Sequence, residues 1–262
     1  MIPQEIHEEI MRRLEAVQRE HEVRILLAIE SGSRAWGFAS PDSDFDVRFI
    51  YCRAKDWYVA VDLEERRDVI DYPIVDEIDL NGWDIRKALR LFWKSNPALI
   101  EWLQSPIKYI EQGGFAAGAR QLMSQVYSLE RGMYHYRSMA KTNYHQYLRD
   151  EQVRLKKYFY VLRPLLSVFW IERYQTAAPI EFDRLLHLLD EWPEVLQAIH
   201  ALLLLKRDTP ELGLSPQVPV LNHFIESHLQ RLEKELPAHT ERGPVLSELN
   251  QLLHASLAEN WA

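Results

Sequence analysis

The sequence predicts an α+β (α/β-like) chain in two parts, a strand-bearing domain over residues 1–112 and an α-helical domain over residues 113–262. Three observations carry this expectation. Residues 23–29 (VRILLAI) and 47–51 (VRFIY) are short aliphatic runs of strand length, each bounded by turn-forming residues. Amphipathic helical periods precede and follow them. Beyond the Gly113-Gly114 pair, the best internal boundary, no stretch reads as a strand.

Taken in order, Ile6, Ile10, Leu14 and Val17 recur at helical spacing and make residues 3–20 an amphipathic helix. Residues 23–29 are apolar apart from Arg24, as expected of a buried central strand. Residues 32–38 form a short helix, and residues 47–51 a second strand. Residues 56–61 suit another short helix, and 66–70 with 72–80 suit a β-hairpin whose turn stays open between Asp71 and Pro73. Asn81-Gly82 is expected to break that strand, with a helical period over 83–93. Ser95-Asn96-Pro97 then ends one helix and starts another, since proline is favourable in a first helical turn. In the second half, residues 115–126, 129–148, 151–174, 182–190, 193–206, 218–236 and 245–257 all read as helices, punctuated by Pro179, Pro193, Pro210 and Gly213.

Composition narrows the function classes. With 47% hydrophobic and 27% charged residues the chain is an ordinary globular protein. A formal net charge of −8 argues against a whole-surface electrostatic grip on nucleic acid and leaves room only for a local basic groove. The single cysteine, Cys52, excludes an internal disulfide and reads as a packed thiol, and the ten histidines show no metal-binding spacing. The N-terminal stretch has no signal-peptide core, and apolar patches such as 201–205 are too short to span a bilayer. A cytoplasmic protein without a membrane partner is expected.

The chemistry concentrates in residues 32–47, GSRAWGFASPDSDFDV. Gly32 lets the backbone approach a phosphate closely, and Ser33 offers a hydroxyl and an N–H to it. Asp44 and Asp46 are two apart, so on a strand both carboxylates face one way and invite a hard divalent cation. A third acid from a neighbouring strand would complete such a site. Asp79, within Ile78-Asp79-Leu80, is the choice, with Asp76 and Glu77 as competitors because the strand register is not readable from sequence. Asp84 suits the first turn of the following helix and Asp42 a turn. Arg34 is balanced between a phosphate contact and a solvated helix face. Lys156 and Arg163 lie about two turns apart on one helix face, a cationic stripe that an anionic ligand would satisfy, and Lys157 is a weaker candidate. Trp36, Trp83, Trp93 and Trp102 read as packing residues.

These residues carry a family resemblance. A Gly-Ser pair after a strand, followed by Asp-x-Asp about ten residues on, resembles the signature of the DNA polymerase β-type nucleotidyltransferase superfamily. The fuller string GSRAWG…SDFDV, with WDIRKAL…KSNPALIEWLQSPIKY downstream, is similar to a branch of predicted bacterial and phage nucleotidyltransferases, some associated with RNA ligases and inferred to act in RNA-end repair. The resemblance covers roughly the first 110 residues well and continues more loosely through about residue 175. It implies a small mixed-sheet catalytic domain whose nucleotide cleft is closed by the helical domain.

It also implies the site. Asp44, Asp46 and Asp79 would hold Mg²⁺ (or Mn²⁺), and Gly32, Ser33 and Arg34, with Lys156 and Arg163, would bind an NTP, ATP being the expected one. An RNA terminus would be the acceptor. Rival expectations are transfer to a small-molecule or protein hydroxyl, a fold that has lost catalysis and senses nucleotides, and a helical interaction protein with an accidental acidic triplet. The oligomeric state is not readable from the sequence.

Overall fold

The structure, a computed structural model, describes residues 2–208, 213–234 and 245–261. In chain order the first elements are α1 (Gln4–Glu20), β1 (Arg24–Glu30), a four-residue α2 (Gly32–Ala35), β2 (Phe45–Cys52), α3 (Lys55–Tyr58), β3 (Val69–Asp71) and β4 (Ile78–Asp84). They continue as α4 (Ile85–Trp93), α5 (Pro97–Gln104), β5 (Lys108–Glu111) and α6 (Phe115–Val126). The second half runs α7 (Leu129–Tyr147), β6 (Gln152–Arg154), α8 (Lys157–Tyr174), a 3₁₀ stretch (Phe182–Leu189), α9 (Pro193–Asp208), β7 (Leu214–Pro216), α10 (Pro219–Lys234) and α11 (Leu246–Asn260). None of the described helices is long and apolar enough to cross a membrane.

Packing divides the chain into two units. The first comprises Met1–Gly32, Asp44–Tyr127 and Arg242–Ala262; the second comprises Ser33–Ser43 and Ser128–Glu241. A contiguous division at 112/113 therefore differs from the packing in three places, the first being α6, expected in the helical domain but part of the first unit, which runs on to Tyr127. The last helix, α11, belongs to the first unit, where it meets α4 and α6 and where Glu259 accepts a hydrogen bond from the Gly114 N–H at 2.8 Å. The loop 33–43 belongs to the second, where the Phe182 N–H donates to the Trp36 carbonyl at 2.9 Å. Neither long-range contact leaves a local mark in the sequence.

The first unit is built on a five-stranded mixed sheet of order β3-β4-β2-β1-β5. β1 is antiparallel to both β2 and β5, β4 is antiparallel to β3, and β2 runs parallel to β4. One apolar face of α1, through Ile10, Leu14 and Val17, packs into a core with Ile25, Val47, Phe49 and Leu80. Sequence reasoning ended β4 at Asn81-Gly82, but the strand continues to Asp84. A Cβ on Gly82 would lie 2.1 Å from the Phe49 ring, so glycine here admits an aromatic neighbour rather than breaking a strand. The missed strand β5 has only Tyr109 and Ile110 buried, too short a pattern to announce itself.

Asp84 caps α4 by accepting from the Arg86 N–H at 2.8 Å, and its second oxygen accepts from the Tyr58 hydroxyl at 2.7 Å. It is 1% exposed, and burial lifts its carboxyl to about 6 despite both hydrogen bonds. An unfolded aspartate titrates near 3.9, so between pH 4 and 6 the folded chain keeps a proton that the unfolded chain has released. Stability from this group therefore falls as pH rises through that window. Asp84→Asn is expected to flatten the pH dependence of unfolding between pH 4 and 6 by on the order of 2 kcal/mol. Urea denaturation at several pH values reads this directly.

The second unit is mainly helical. Its small two-stranded sheet, β6 with β7 antiparallel, corrects the expectation of helices alone and moves the start of α8 from 151 to Lys157. The helix expected over 182–190 is instead a 3₁₀ stretch, Phe182–Leu189. Pro210 and the end of the helix expected to reach Leu236 lie outside the described residues. α8 contains Pro164, which has no N–H to give the Tyr160 carbonyl one turn earlier. The Asn143 side-chain amide supplies that hydrogen bond at 3.0 Å, so this asparagine of α7 is the structural repair of a proline in α8.

Candidate functional site

β2 and β4 run parallel with Asp46 directly opposite Asp79. Successive strand residues alternate sides, so Asp46, Arg48 and Asp79 come to one face. Arg48 Nη2 donates to Asp46 Oδ1 at 3.0 Å and to Asp79 Oδ2 at 2.7 Å. Its Nη1 reaches the Asp79 carbonyl at 2.9 Å. The two carboxylates are 29% and 28% exposed and the guanidinium 18%, a half-buried pair of anions sharing one cation. A shared cation is what two converging carboxylates require.

The register settles which acid accompanies Asp46. Asp76 and Glu77 form the two-residue turn between Val75 and Ile78, with φ of +53° and +61°. Val75 and Ile78 exchange backbone hydrogen bonds of 3.4 and 3.1 Å across it. Turns of this kind need positive φ at both central residues. Asp76 is tied to Arg13 at 2.6 Å, and the Glu77 carbonyl accepts from the Phe45 N–H at 2.7 Å. Both are turn residues, and only Asp79 of the three stands on β4 beside Asp46.

Gly32 has φ of +59°, and a Cβ there would lie 2.0 Å from Asp46 Oδ2. The glycine ending this turn is therefore required twice, by backbone conformation and by the carboxylate pressed against its Cα. The Ser31 N–H donates to the Asp46 carbonyl at 2.8 Å, fastening the turn to β2. Glu30, which sequence reasoning passed over, completes the support. It is fully buried; Oε1 accepts from the Asp46 N–H at 3.0 Å and Oε2 from the Tyr109 hydroxyl at 2.6 Å. An acid closing an otherwise aliphatic strand run was its one signal. Arg48 also had a signal, the D-x-D-x-R spacing that sets it on the face of Asp46.

The other expected residues are placed as follows. Asp44 precedes β2 and is exposed. Among the described residues, no group of three or more histidines, cysteines, aspartates or glutamates is arranged to hold a metal ion; two of the three expected acids are brought together, on Arg48. Ser33 is 8% exposed and its carbonyl accepts from the Phe38 N–H at 3.0 Å. Arg34 donates to the Ser43 carbonyl, bracing its own loop. Lys156 is half-buried in the second unit. Arg163 is 3% exposed, lies 4.5 Å over the Trp36 ring and directs Nε to the Ile180 carbonyl at 3.4 Å. In the KSNP segment, Asn96 caps α5 by accepting from the Ala98 N–H at 3.0 Å, while Ser95 is buried with φ of +58°. Trp83 packs on Trp102 with ring centres 3.9 Å apart, and Cys52 is a buried thiol pushed up to about 11 by that burial.

Comparison with known proteins adds three findings. A family model described as the RNA repair pathway DNA polymerase beta family matches residues 6–255. A protein of Bacillus subtilis (strain 168), the uncharacterized protein YcgL, is 45% identical over 255 residues, covering 96% of each chain. A crystal structure of a nucleotidyltransferase-like protein from Exiguobacterium sibiricum 255-15 aligns with 95% of this chain and 89% of its own, at 10% identity and a TM-score of 0.32.

Proposed function

The chain belongs to the RNA repair pathway DNA polymerase beta family, and from that premise we propose that it is a cytoplasmic, metal-dependent nucleotidyltransferase that moves a nucleoside monophosphate from an NTP, ATP first among them, to the hydroxyl of an RNA end. The observation that carries this reading is the Asp46–Arg48–Asp79 cluster, set in register across two parallel strands and closed on one side by Gly32. Arg48 Nη2 is a stand-in cation on two hard carboxylate oxygens, so the donor set suits Mg²⁺ or Mn²⁺. Asp46 and Asp79, joined by Asp44, would hold the ion. When bound, such an ion neutralises charge on the triphosphate and on the leaving group.

The chain's own residues do the rest. Gly32 keeps the backbone low beside Asp46, and Glu30 with Tyr109 holds the Asp46 peptide in place. Asp79 takes the proton of the attacking hydroxyl. A bond forms from that oxygen to the α-phosphorus, the bond from the α-phosphorus to the bridging oxygen breaks, and pyrophosphate leaves with the electron pair. Ser33 and Arg34, with Lys156 and Arg163, are the proposed nucleotide contacts.

The test is pyrophosphate release with Mg²⁺, each labelled NTP in turn, and acceptors comprising RNA ends, small hydroxyl compounds and proteins. Label appearing on RNA ends is the expected result; label only on small molecules or protein would replace the acceptor, and no turnover with any of them would remove the transferase reading. A second reading draws on Arg48 itself. A guanidinium seated on the carboxylate pair suits a nucleotide-sensing module that has given up catalysis. Arg48→Met distinguishes the two at the level of metal binding. The two half-buried carboxylates then lose their shared cation, so the metal-free variant melts lower, and Mn²⁺ measured by calorimetry binds about tenfold tighter than to wild type, corresponding to roughly 1.4 kcal/mol of removed competition. Failure of Mn²⁺ to bind either form would favour the sensing module.

A further inference from the structure

The second unit carries a run of aromatic and cationic side chains that the transfer chemistry leaves unused. Lys157 Nζ sits between two tyrosines, 4.1 Å from the ring centre of Tyr147 at the end of α7 and 4.8 Å from that of Tyr160 on α8. Tyr160 in turn meets Trp36 edge to face, with ring centres 5.8 Å apart at 84°. Tyr147, Lys157, Tyr160 and Trp36 are all half-buried, and Arg154 on β6, which acts electrostatically on Lys157, is exposed.

The charge here is concentrated against the trend of the chain. Arg154, Lys156 and Lys157 place three cations within four positions of a protein whose net charge is −8. Burial, and then repulsion from Lys156 and Arg154, pushes the Lys157 ammonium below the usual lysine range. The nearby acids, Asp150 and Glu151, are exposed and are not among the groups that act on it. Among the described residues, the contacts of Lys157 are the two rings and no carboxylate. A cation held between aromatic faces at the edge of a cationic cluster is half of a recognised pairing. Its complement is a ligand that offers flat π-faces and negative charges in alternation, which is the composition of an unpaired nucleic-acid strand. In a duplex the base faces are stacked away and unavailable to such rings.

We infer that this face of the second unit, built from Tyr147, Arg154, Lys157 and Tyr160, binds a single-stranded RNA segment, with bases against the tyrosine rings and phosphates on Arg154 and Lys157. The inference rests on the reading that the acceptor is an RNA end, and it assigns the stretch of strand behind that end to a named surface. Lys157 orients the two rings, and the rings hold the lysine where a phosphate can reach it.

The experiment is anisotropy of a fluorescein-labelled, unstructured 12-nucleotide RNA with the full chain, without NTP or divalent metal, from 50 to 200 mM salt. The wild type binds the single strand at least fivefold tighter than the same sequence as a duplex. Tyr147→Ala weakens single-strand binding about tenfold, as loss of one stacked base does, while Tyr147→Phe, which keeps the ring, retains it. Arg154→Gln with Lys157→Gln lowers the slope of log affinity against log salt by about 1.4, the value for two phosphates on a single strand. Thermal melting of each variant separates lost binding from lost folding. Equal affinity for duplex and single strand, wild-type binding by both Tyr147→Ala and the double glutamine variant, or no binding at 50 mM salt overturns the inference. Strand binding is read without turnover, so an inactive transferase that still binds RNA would fail the reaction assay alone, and an active one that ignores the strand would fail this test alone.

Discussion

Asp46→Ala is expected to lower pyrophosphate release from an NTP by about 10³-fold or more, with melting unchanged within a few degrees. The size follows from removing a metal-holding carboxylate from a reaction whose catalysis is mainly charge neutralisation and positioning. The small effect on folding follows from geometry. The Asp46 side chain is 29% exposed, and Arg48 keeps Asp79 as a partner at 2.7 Å when Asp46 is shortened. The backbone contacts that place residue 46, from Glu30 and to Ser31, do not use its side chain. Asp76→Ala is the matched control, an acid of the adjacent turn whose carboxylate pairs with Arg13. Pyrophosphate release that survives in Asp46→Ala at the level of Asp76→Ala would dismiss the metal-dependent reaction.

Gly32→Ala is expected to be the next most damaging single change, with activity reduced about 100-fold and stability by about 1–2 kcal/mol from the left-handed backbone alone. Its φ of +59° disfavours any side chain, and the new Cβ would stand 2.0 Å from Asp46 Oδ2. Either the turn lifts or the carboxylate rotates away from Asp79's side of Arg48, and both movements spoil the site. A double-mutant cycle separates the causes. In an Asp46→Ala background the collision is gone and only the backbone strain remains, so Gly32→Ala costs less stability there than in wild type. Equal costs in the two backgrounds would show that Gly32 serves its turn and not the carboxylate.

The chemistry was legible because it is local. Gly32, Asp44 and Asp46 lie within fifteen positions, but strand periodicity set Asp44 on one face with Asp46, whereas β2 begins at Phe45 and leaves Asp44 before it. Arg48 was present in that same spacing and went unread, because a cation two residues beyond an acid pair is ordinary in sequence and meaningful only once Asp79 is known to stand opposite Asp46. Asp79 itself was separable from Asp76 and Glu77 only by the turn, whose two positive-φ residues carry neither glycine nor asparagine to mark it. Gly82 misled for the complementary reason, since a glycine that breaks a strand and a glycine that admits the Phe49 ring are spelled alike.

By itself the sequence determined the order of helices and strands in the first hundred residues and a resemblance to the DNA polymerase β-type superfamily that is strongest in the first 110 residues, while the match to the RNA repair pathway DNA polymerase beta family extends over residues 6–255. These depend on period, spacing and local backbone chemistry. Tertiary structure alone decided the parallel register of Asp46 with Asp79, the burial of Glu30 behind them, the repair of Pro164 by Asn143, and the return of α11 to the first unit. Each of those joins residues far apart in the chain, and no local preference records a partner that arrives from elsewhere.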